Sequence, residues 1–331
     1  MRAYAVEVLA AWKSSHPDDS LFIVGPPWVR ELGERGVHTR VVRRGGSLGR
    51  ILAQLLLTPL VYWHRGADAV VALGPVVTPF VPRERRVCVV HDWRHKHHPD
   101  EFSRSVLLFR RLWVPLIESA GGVAAISEKA LHETSMFAPR ANPVLIESGR
   151  DHPGRWAVDP TPEHLRNIVT FGHRPAKRPE LVLRAAALLP RDTEWRVQVL
   201  GASGEYREEL AGLARDLGII DRVELPGFVD DSGYRDRIAH AHVVVVASTD
   251  EGFGLPVVEA RYFGAHAVAT TDSGLGEIHG AQVAVVPPEP AALSSELADA
   301  LARPRGTVGA LDGATWGEVA SRLRQLVLLG C

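Results

Sequence analysis

The chain has 331 residues, which corresponds to about two domains of ordinary size. Its formal net charge is -1, so the composition gives no reason to expect nucleic acid as a partner. Two cysteines, Cys88 and Cys331, do not make a disulfide framework, and the apolar stretch 51–62 is too short to span a bilayer. Because no secretory signal pattern follows Met1, we expect a cytoplasmic protein.

The first half of the chain begins directly in a helical pattern, with Tyr4, Val8 and Trp12 on one apolar stripe. Continuous apolar runs follow, and they predict parallel strands buried on both faces at 21–24, 39–42, 69–73, 87–90, 122–126 and 143–146. A doubly wound domain normally opens with a strand and a glycine-rich turn before such a helix. Since this sequence contains neither, we expect the first domain to lack that part of its sheet.

The second half repeats the alternation of strands and helices. Strands are predicted at 168–171, 197–200, 223–225, 242–247, 266–269 and 283–286, and helices at 179–189, 206–217, 232–241, 255–263, 290–302 and 315–329. The stretch 148–163 is rich in Gly, Pro and charge and lacks periodicity, so we interpret it as a linker. The predicted division is therefore 1–155 and 156–331, two doubly wound α/β domains whose strand ends face one cleft.

The most informative segment is Glu251-Gly-Phe-Gly-Leu-Pro-Val-Val-Glu259, which follows a buried apolar run. Pro256 suits the first turn of a helix, because its missing N–H has no helical partner there. The free N–H groups near Gly254 and Leu255 would then form a site for a phosphate or diphosphate. For Glu259 two interpretations stay open: it accepts hydrogen bonds from sugar hydroxyls, or it caps its own helix.

A second segment, 170–180, places cations after the first strand of the second half. Gly172 permits a tight turn, and Arg174, Lys177 and Arg178 follow it. Arginine binds a diphosphate bidentately and lysine acts as a point charge. We interpret Arg174 and Lys177 as ligand-binding residues and Arg178 as a solvated loop residue.

A third segment, His91-Asp-Trp-Arg-His-Lys-His-His98, follows a strand of the first half, and His91 is expected to face the cleft. His91 and His95 have the spacing of metal ligands on a helix. No Glu-His helix pattern surrounds them, so we predict no metal site.

The glycines Gly201 and Gly204 resemble a phosphate-binding turn weakly. The absence of a full Gly-x-Gly-x-x-Gly motif argues against a dinucleotide-binding dehydrogenase.

The segment 251–259 resembles the Glu-x7-Glu motif of the retaining glycosyltransferases of family 4, a group 1 family with the GT-B fold. The segment 171–177 resembles the diphosphate segment of that family in a shortened spacing. The segment from His91 to Pro99 resembles the His-Asp stretch of rhamnosyl- and mannosyltransferase-like members. Together these similarities imply two Rossmann-like domains and cover nearly the whole chain.

The resemblance also implies roles for individual residues. Glu259 would hold the donor ribose, and Glu251 would contact donor sugar hydroxyls. Arg174 and Lys177 would bind the diphosphate, and His91 would lie near the reaction centre. His173 also fits the place of the family arginine, but we choose Arg174.

The family further implies a donor loop and a mechanism. The loop and turn residues that would contact the donor are Gly172, Gly201, Gly252, Phe253, Gly254 and Leu255. The sugar would be transferred with retention of anomeric configuration, and no metal or other cofactor is expected, because cations and a helix terminus stabilise the departing charge. The co-substrates would be a nucleotide-sugar donor and a glycan, a lipid-linked saccharide or a small molecule as acceptor.

Three alternatives remain. The chain could be a sugar-nucleotide 2-epimerase, or a degenerate transferase that binds nucleotide sugars without transferring them. The stretch Arg104–Ile117 mixes arginine with large apolar residues, which is typical of a helix lying on anionic lipid, so the protein could be peripheral to the inner membrane face. We favour a core helix with an arginine-bearing outer face for this stretch.

Overall fold

The computed structural model describes residues 2–33, 38–42, 49, 53–159, 166–190, 192 and 194–329. The chain forms two compact units. The first unit comprises Met1–Gly149 and Ala314–Cys331, and the second comprises Arg150–Gly313. Each unit is an α/β structure with parallel strands, as the alternation of apolar runs and helical patterns predicts.

The division differs from the predicted one at the last helix, Trp316–Leu329. We placed this helix in the second domain, but it packs on helix Arg2–Ser15 of the first unit. The ring of Trp316 lies 5.3 Å from that of Tyr4, and Arg324 donates to Asp19 at 2.8 Å. An amphipathic pattern predicts a helix and its apolar face, but it does not say which unit covers that face.

The first unit contains two parallel sheets among its described residues. Strands β1 (Phe22–Gly25) and β2 (His38–Val41) form one of them. Strands β3 (Val70–Ala72), β4 (Arg86–Val90), β5 (Gly122–Ala125) and β6 (Val144–Leu145) form the other, in that order. The α-helices that the structure describes in this unit are Arg2–Ser15, Arg30–Gly33, Thr58–Arg65, Arg94–His97, Arg104–Arg110, Trp113–Glu118, Glu128–Phe137 and Trp316–Leu329.

The second unit is built on one six-stranded parallel sheet. Its strands are β7 (Arg166–Phe171), β8 (Trp195–Leu200), β9 (Val223–Gly227), β10 (Ala241–Val246), β11 (His266–Thr270) and β12 (Ala284–Val286). They lie in the order β12-β11-β10-β7-β8-β9, so the winding reverses between β7 and β10. The α-helices are Pro179–Ala186, Gly204–Asp216, Asp231–Ala239, Leu255–Tyr262, Leu275–His279 and Pro290–Ala302.

Both faces of this sheet are covered, which explains the apolar run Val243–Val246 of its strand β10. On one face Val243 and Val245 of β10 pack in a core with Leu293 and Leu297. On the other face Val244 and Val246 belong to a second core, under helix Leu255–Tyr262. Since successive strand residues point to opposite faces, a strand buried on both is apolar at most positions.

No helix in the described part of the chain is both long enough and apolar enough to cross a membrane.

The core of the second unit should be sensitive to loss of volume. Leu297→Ala removes a fully buried side chain and should lower the free energy of unfolding by about 2–5 kcal/mol. The loss is large because neighbouring side chains only partly fill the cavity that the leucine leaves. Leu188, which is 59% exposed in the same unit, is the matched control, and Leu188→Ala should change it by no more than about 0.5 kcal/mol. Urea unfolding measures both, and equal losses would contradict this account of the core.

Candidate functional site

The sheet of the second unit places the carboxyl ends of β7 and β10 next to each other, where the winding reverses. In open α/β sheets this is where ligands bind. The segment after β7 carries Arg174 and Lys177, and the segment after β10 carries Glu251. The tertiary fold therefore brings together two segments that sequence reasoning had singled out separately.

An ion pair joins the two segments. Nζ of Lys177 donates to Oε1 of Glu251, and Oγ of Ser248 donates to the same oxygen at 2.7 Å. The backbone adds a third link, because the N–H of Thr249 donates to the carbonyl of Ala176 at 3.1 Å. Lys177 and Glu251 are thus held in fixed positions, and neither is fully buried.

Arg174 is the unengaged cation of the site. Its side chain is exposed and makes no hydrogen bond or ion pair with any residue that the structure describes. It lies three residues before Lys177, at the start of the turn Pro175–Lys177. A guanidinium in this position is available to an anion.

Arg178 is not the solvated loop residue that the sequence suggested. Its guanidinium donates to the carbonyl of Ala247 at 2.6 Å and to both carboxylate oxygens of Asp272, at 2.8 and 2.7 Å. It also reaches Oγ1 of Thr270 at 2.8 Å, so one side chain ties β7 to the ends of β10 and β11. Spacing along the chain gives no sign of these contacts, because each of them joins residues far apart in sequence.

The electrostatics around Asp272 agree with this contact. Burial alone would raise the pKa of the Asp272 carboxyl, but the hydrogen bonds from Arg178 and Thr270 hold it below its ordinary value. Arg178 itself has φ 48° and ψ 48°, a left-handed conformation that costs a non-glycine residue free energy. The bidentate pair offsets that cost and fixes the residue directly after Lys177.

The turn Gly252–Leu255 ends in a helix N-terminus, as predicted. Gly254 has φ 79°, and a Cβ atom there would overlap Cδ2 of Leu275. Helix Leu255–Tyr262 has no side-chain cap, and the N–H groups of Phe253, Gly254 and Leu255 donate no hydrogen bond to any described residue. These N–H groups are available to an anion at the positive end of the helix dipole.

His279 supports this turn and was missed by the sequence analysis. Its Nε2–H donates to the carbonyl of Phe253 at 2.6 Å, and the two rings meet edge to face at 5.3 Å. Burial lowers the pKa of His279 to about 4, and the charge of Arg150 adds to that effect. The imidazole is therefore neutral near pH 7 and acts as a fixed donor to the turn.

Two further glycines shape the same edge of the sheet. A Cβ on Gly172 would lie 2.7 Å from Cγ1 of Val199, and one on Gly201 would lie 2.9 Å from Cβ of His173. Gly201 also has φ 86°. Both predicted glycines are required here by close packing of the turns after β7 and β8.

Glu259 is buried and engaged on both oxygens. Nε2 of His152 donates to its Oε1 at 3.0 Å, and the hydroxyl of Tyr234 donates to its Oε2. Of the two interpretations left open, capping of its own helix is wrong, because the helix makes no side-chain cap hydrogen bond. Burial, followed by the charge of Glu259, raises the pKa of Tyr234 well above its ordinary value, so Tyr234 is the proton donor of this pair.

His91 lies in the first unit, directly after β4. Its Nε2 is 3.1 Å from the carbonyl of Leu73, and its ring meets that of Tyr4 edge to face at 4.8 Å. Burial lowers its pKa to about 4. His91 is therefore a neutral imidazole near pH 7.

The histidines that follow His91 do not converge. His95 is buried against the rings of Trp93 and Trp113, whereas His97 lies 3.0 Å from Oε1 of Glu133. No group of three or more His, Cys, Asp or Glu side chains suited to a metal ion occurs in the described ranges.

The backbone of the turn at Gly254 provides a direct test of the site geometry. Gly254→Ala should lower the free energy of unfolding by about 1 kcal/mol or more, because alanine opposes the positive φ and contacts Leu275. The control is Gly212→Ala, in a helix where an added Cβ meets nothing within 4 Å, and it should stabilise by about 0.5–1 kcal/mol. Chemical unfolding measures the free energy of unfolding of both variants. A Gly254→Ala variant as stable as wild type would show that the turn is not as described.

The buried His279 should make stability depend on pH. Its folded pKa lies below the unfolded value near 6.5, so the unfolded state binds more protons between about pH 4 and 6.5, and stability rises with pH across that window. In His279→Gln an amide can still donate to Phe253 but cannot titrate. The difference in unfolding free energy between wild type and variant should grow by on the order of 3 kcal/mol from pH 4 to 7. Parallel pH profiles would contradict the neutral imidazole.

Comparison with known proteins finds a family match in the second unit. Residues 164–307 match the family model described as glycosyl transferases group 1. The chain is also similar to a D-inositol 3-phosphate glycosyltransferase of Kribbella flavida, at 32% identity over 180 residues, 48% of this chain and 42% of the relative. The enzyme of the same name from Mycolicibacterium gilvum is 40% identical over 161 residues, 46% of this chain and 34% of the relative. The chain therefore spans less than half the length of these relatives.

Solved structures extend the likeness to the whole chain at the level of fold. HepE from Anabaena, crystallised with UDP and glucose, has a TM-score of 0.68 at 21% identity and covers 98% of this chain and 91% of its own. A glycosyltransferase from Rickettsia africae has a TM-score of 0.67 at 15% identity, covering 99% and 89%. These neighbours have the GT-B fold, which confirms the predicted fold class. Residues 164–307 are thus similar to glycosyl transferases group 1, and the chain has the GT-B fold.

Proposed function

We propose that the chain is a glycosyltransferase that takes a sugar from a nucleoside-diphosphate donor bound by the second unit. The observation that carries the proposal is the group at the reversal of the sheet. There an unengaged Arg174, the Lys177–Glu251 pair and a helix N-terminus with free N–H groups lie on adjacent strand ends. The match of residues 164–307 to the group 1 family supports the same activity.

The donor diphosphate is assigned to the cations and the helix terminus. Arg174 has no competing partner among the described residues. The N–H groups of Phe253, Gly254 and Leu255 donate to no described residue either, so they are also available to a phosphate. Breaking the bond from the sugar to the diphosphate leaves negative charge on the leaving phosphate. Cations and oriented N–H groups stabilise that charge, so the proposal requires no metal.

The sugar and ribose are assigned to the two glutamates. One oxygen of Glu251 already accepts from Lys177 and Ser248, so its other oxygen is the one offered to sugar hydroxyls. Each oxygen of Glu259 accepts one hydrogen bond and keeps a second acceptor position for the 2′- and 3′-hydroxyls of a ribose. His152 and Tyr234 hold that carboxylate in place.

For the chemical step we propose transfer with retention, as in the family 4 enzymes that the motifs resemble. The acceptor attacks from the side of the leaving diphosphate, and a phosphate oxygen takes its proton. His91 is proposed to lie near the reacting atoms, as a neutral imidazole that donates or accepts a hydrogen bond. The anomeric configuration of the product, read by NMR coupling constants, tests this step.

We also propose a donor, an acceptor and a location for the protein. HepE was crystallised with UDP-glucose, and the relatives named above act on D-inositol 3-phosphate by their names. We therefore propose UDP-glucose as the first donor and an inositol phosphate as the first acceptor to test. The proposed location is the cytoplasm.

The proposal is tested first by thermal melting with UDP, GDP, dTDP and ADP. A nucleotide at about a hundred times its Kd adds about 2.7 kcal/mol of stability, which should raise Tm by a few degrees. A shift with one nucleotide names the base. If a folded sample gave no shift with any of them, the proposed function would be withdrawn.

Arg174→Gln makes this test residue-specific. Because the side chain has no partner in the described structure, the variant should keep the wild-type Tm and bind the nucleotide about tenfold more weakly. Arg184→Gln, an exposed arginine on helix Pro179–Ala186, is the matched control and should bind as wild type does. Equal affinities of both variants, measured by titration calorimetry, would remove Arg174 from the site.

Product analysis separates the remaining alternatives. Release of nucleoside diphosphate with a glycosylated acceptor supports the transferase. Conversion of the donor to an isomer without nucleotide release would identify a 2-epimerase, and donor binding without turnover would identify a degenerate binding protein.

A further inference from the structure

The segment from Ser103 to Ile117 in the first unit leaves large apolar side chains in solvent. Helix Arg104–Arg110 has no buried residue, and in helix Trp113–Glu118 the only buried residue is Ile117. The exposed fraction is 64% for Leu108, 48% for Leu112 and 37% for Val106. The core helix favoured from the sequence is therefore wrong for Arg104–Arg110, whereas Trp113, Val114 and Ile117 of the next helix pack on the core of the first unit.

The charge of this segment has one sign. Residues 102–117 include three arginines and no Asp or Glu. Arg104 and Arg111 are exposed, and their side chains make no hydrogen bond or ion pair with any described residue. Arg110 lies over the rings of Phe102 and Trp113, with its Cζ 4.3 and 4.5 Å from the ring centres. The same short segment thus carries aromatic rings, arginines and exposed leucines.

We propose that this basic apolar segment, residues 103–117, docks the protein on the surface of an anionic phospholipid bilayer. Leucine and valine side chains enter the boundary between headgroups and acyl chains, and the arginines remain at the level of the lipid phosphates. The half-buried Trp113 and Phe102 suit the same boundary, where amphipathic rings concentrate.

Charge decides between this occupant and the other candidates. A symmetric contact between two copies would oppose three arginines to three arginines, which is unfavourable in a self-complementary interface. A nucleic acid would pair with the arginines but would leave Leu108 and Leu112 without apolar partners. An anionic bilayer satisfies both the apolar and the cationic side chains.

Flotation of the full chain with lipid vesicles tests the proposal. Wild type should partition onto vesicles of phosphatidylcholine with phosphatidylglycerol and not onto phosphatidylcholine alone. Binding should fall as salt screens the arginines. Equal binding to both vesicle types, or to neither, would overturn the proposal.

Three variants locate the surface. Leu108→Ser should weaken partition by about tenfold, and Arg104→Gln or Arg111→Gln by about fivefold each. All three side chains are exposed, so the melting temperature should stay that of wild type and report that the fold is intact.

The matched control is Leu60→Ser. Leu60 is 66% exposed in the same unit. Its helix ends at Arg65 and is followed by Asp68, so both signs of charge are present there. It should partition as wild type does, and equal losses for Leu60→Ser and Leu108→Ser would show non-specific adhesion and overturn the assignment. A dimer in sedimentation velocity that Leu108→Ser dissociates would assign the surface to a second copy instead. Since no donor or acceptor is present, these results are independent of the proposed transferase activity.

Discussion

The parallel pairing of β7 with β10 is the constraint on which the second unit depends. It joins two runs of strands wound in opposite directions, with Ile168 opposite Val243 and Val169 opposite Val244. Helices cover both faces of this pairing, and the chain leaves both strands at its carboxyl end. The polar segments after the two strands must meet there, and the Lys177–Glu251 pair is the direct result.

The candidate site is held by residues that do not belong to the motif. Arg178 joins the ends of β7, β10 and β11 through the carbonyl of Ala247 and the carboxylate of Asp272. His279 holds the carbonyl of Phe253, and His152 and Tyr234 hold Glu259. In each case a buried or partly buried polar group has a fixed partner, which is what a binding site needs if it is to keep its geometry without a ligand. Arg174 differs from all of these residues because its side chain has no partner among the described residues and is available to a ligand.

The first unit combines a fully buried strand with a segment that is largely exposed. Its strand β4 is buried along its whole length, while the segment that follows it ends in a stretch with almost no buried residue. Apolar composition alone made this stretch look like core. What decides is that neighbouring elements do not cover it, and the charge of its arginines suits a surface that carries phosphate.

The alternation of strands and helices and the glycine turns of the site were predicted from the amino-acid pattern alone. Strand ends were predicted to within two residues, since strands buried on both faces are largely apolar. The turn at Gly254 was also predicted, because glycine permits a positive φ and proline fixes φ in the first turn of the helix. Only the tertiary structure decided that the last helix packs with the first unit, that Arg178 is a clamp and that Glu259 is held by His152 and Tyr234. The physical reason is that local patterns report local preferences. These contacts join residues separated by 25 to 305 positions, and which of them form depends on the packing of whole elements.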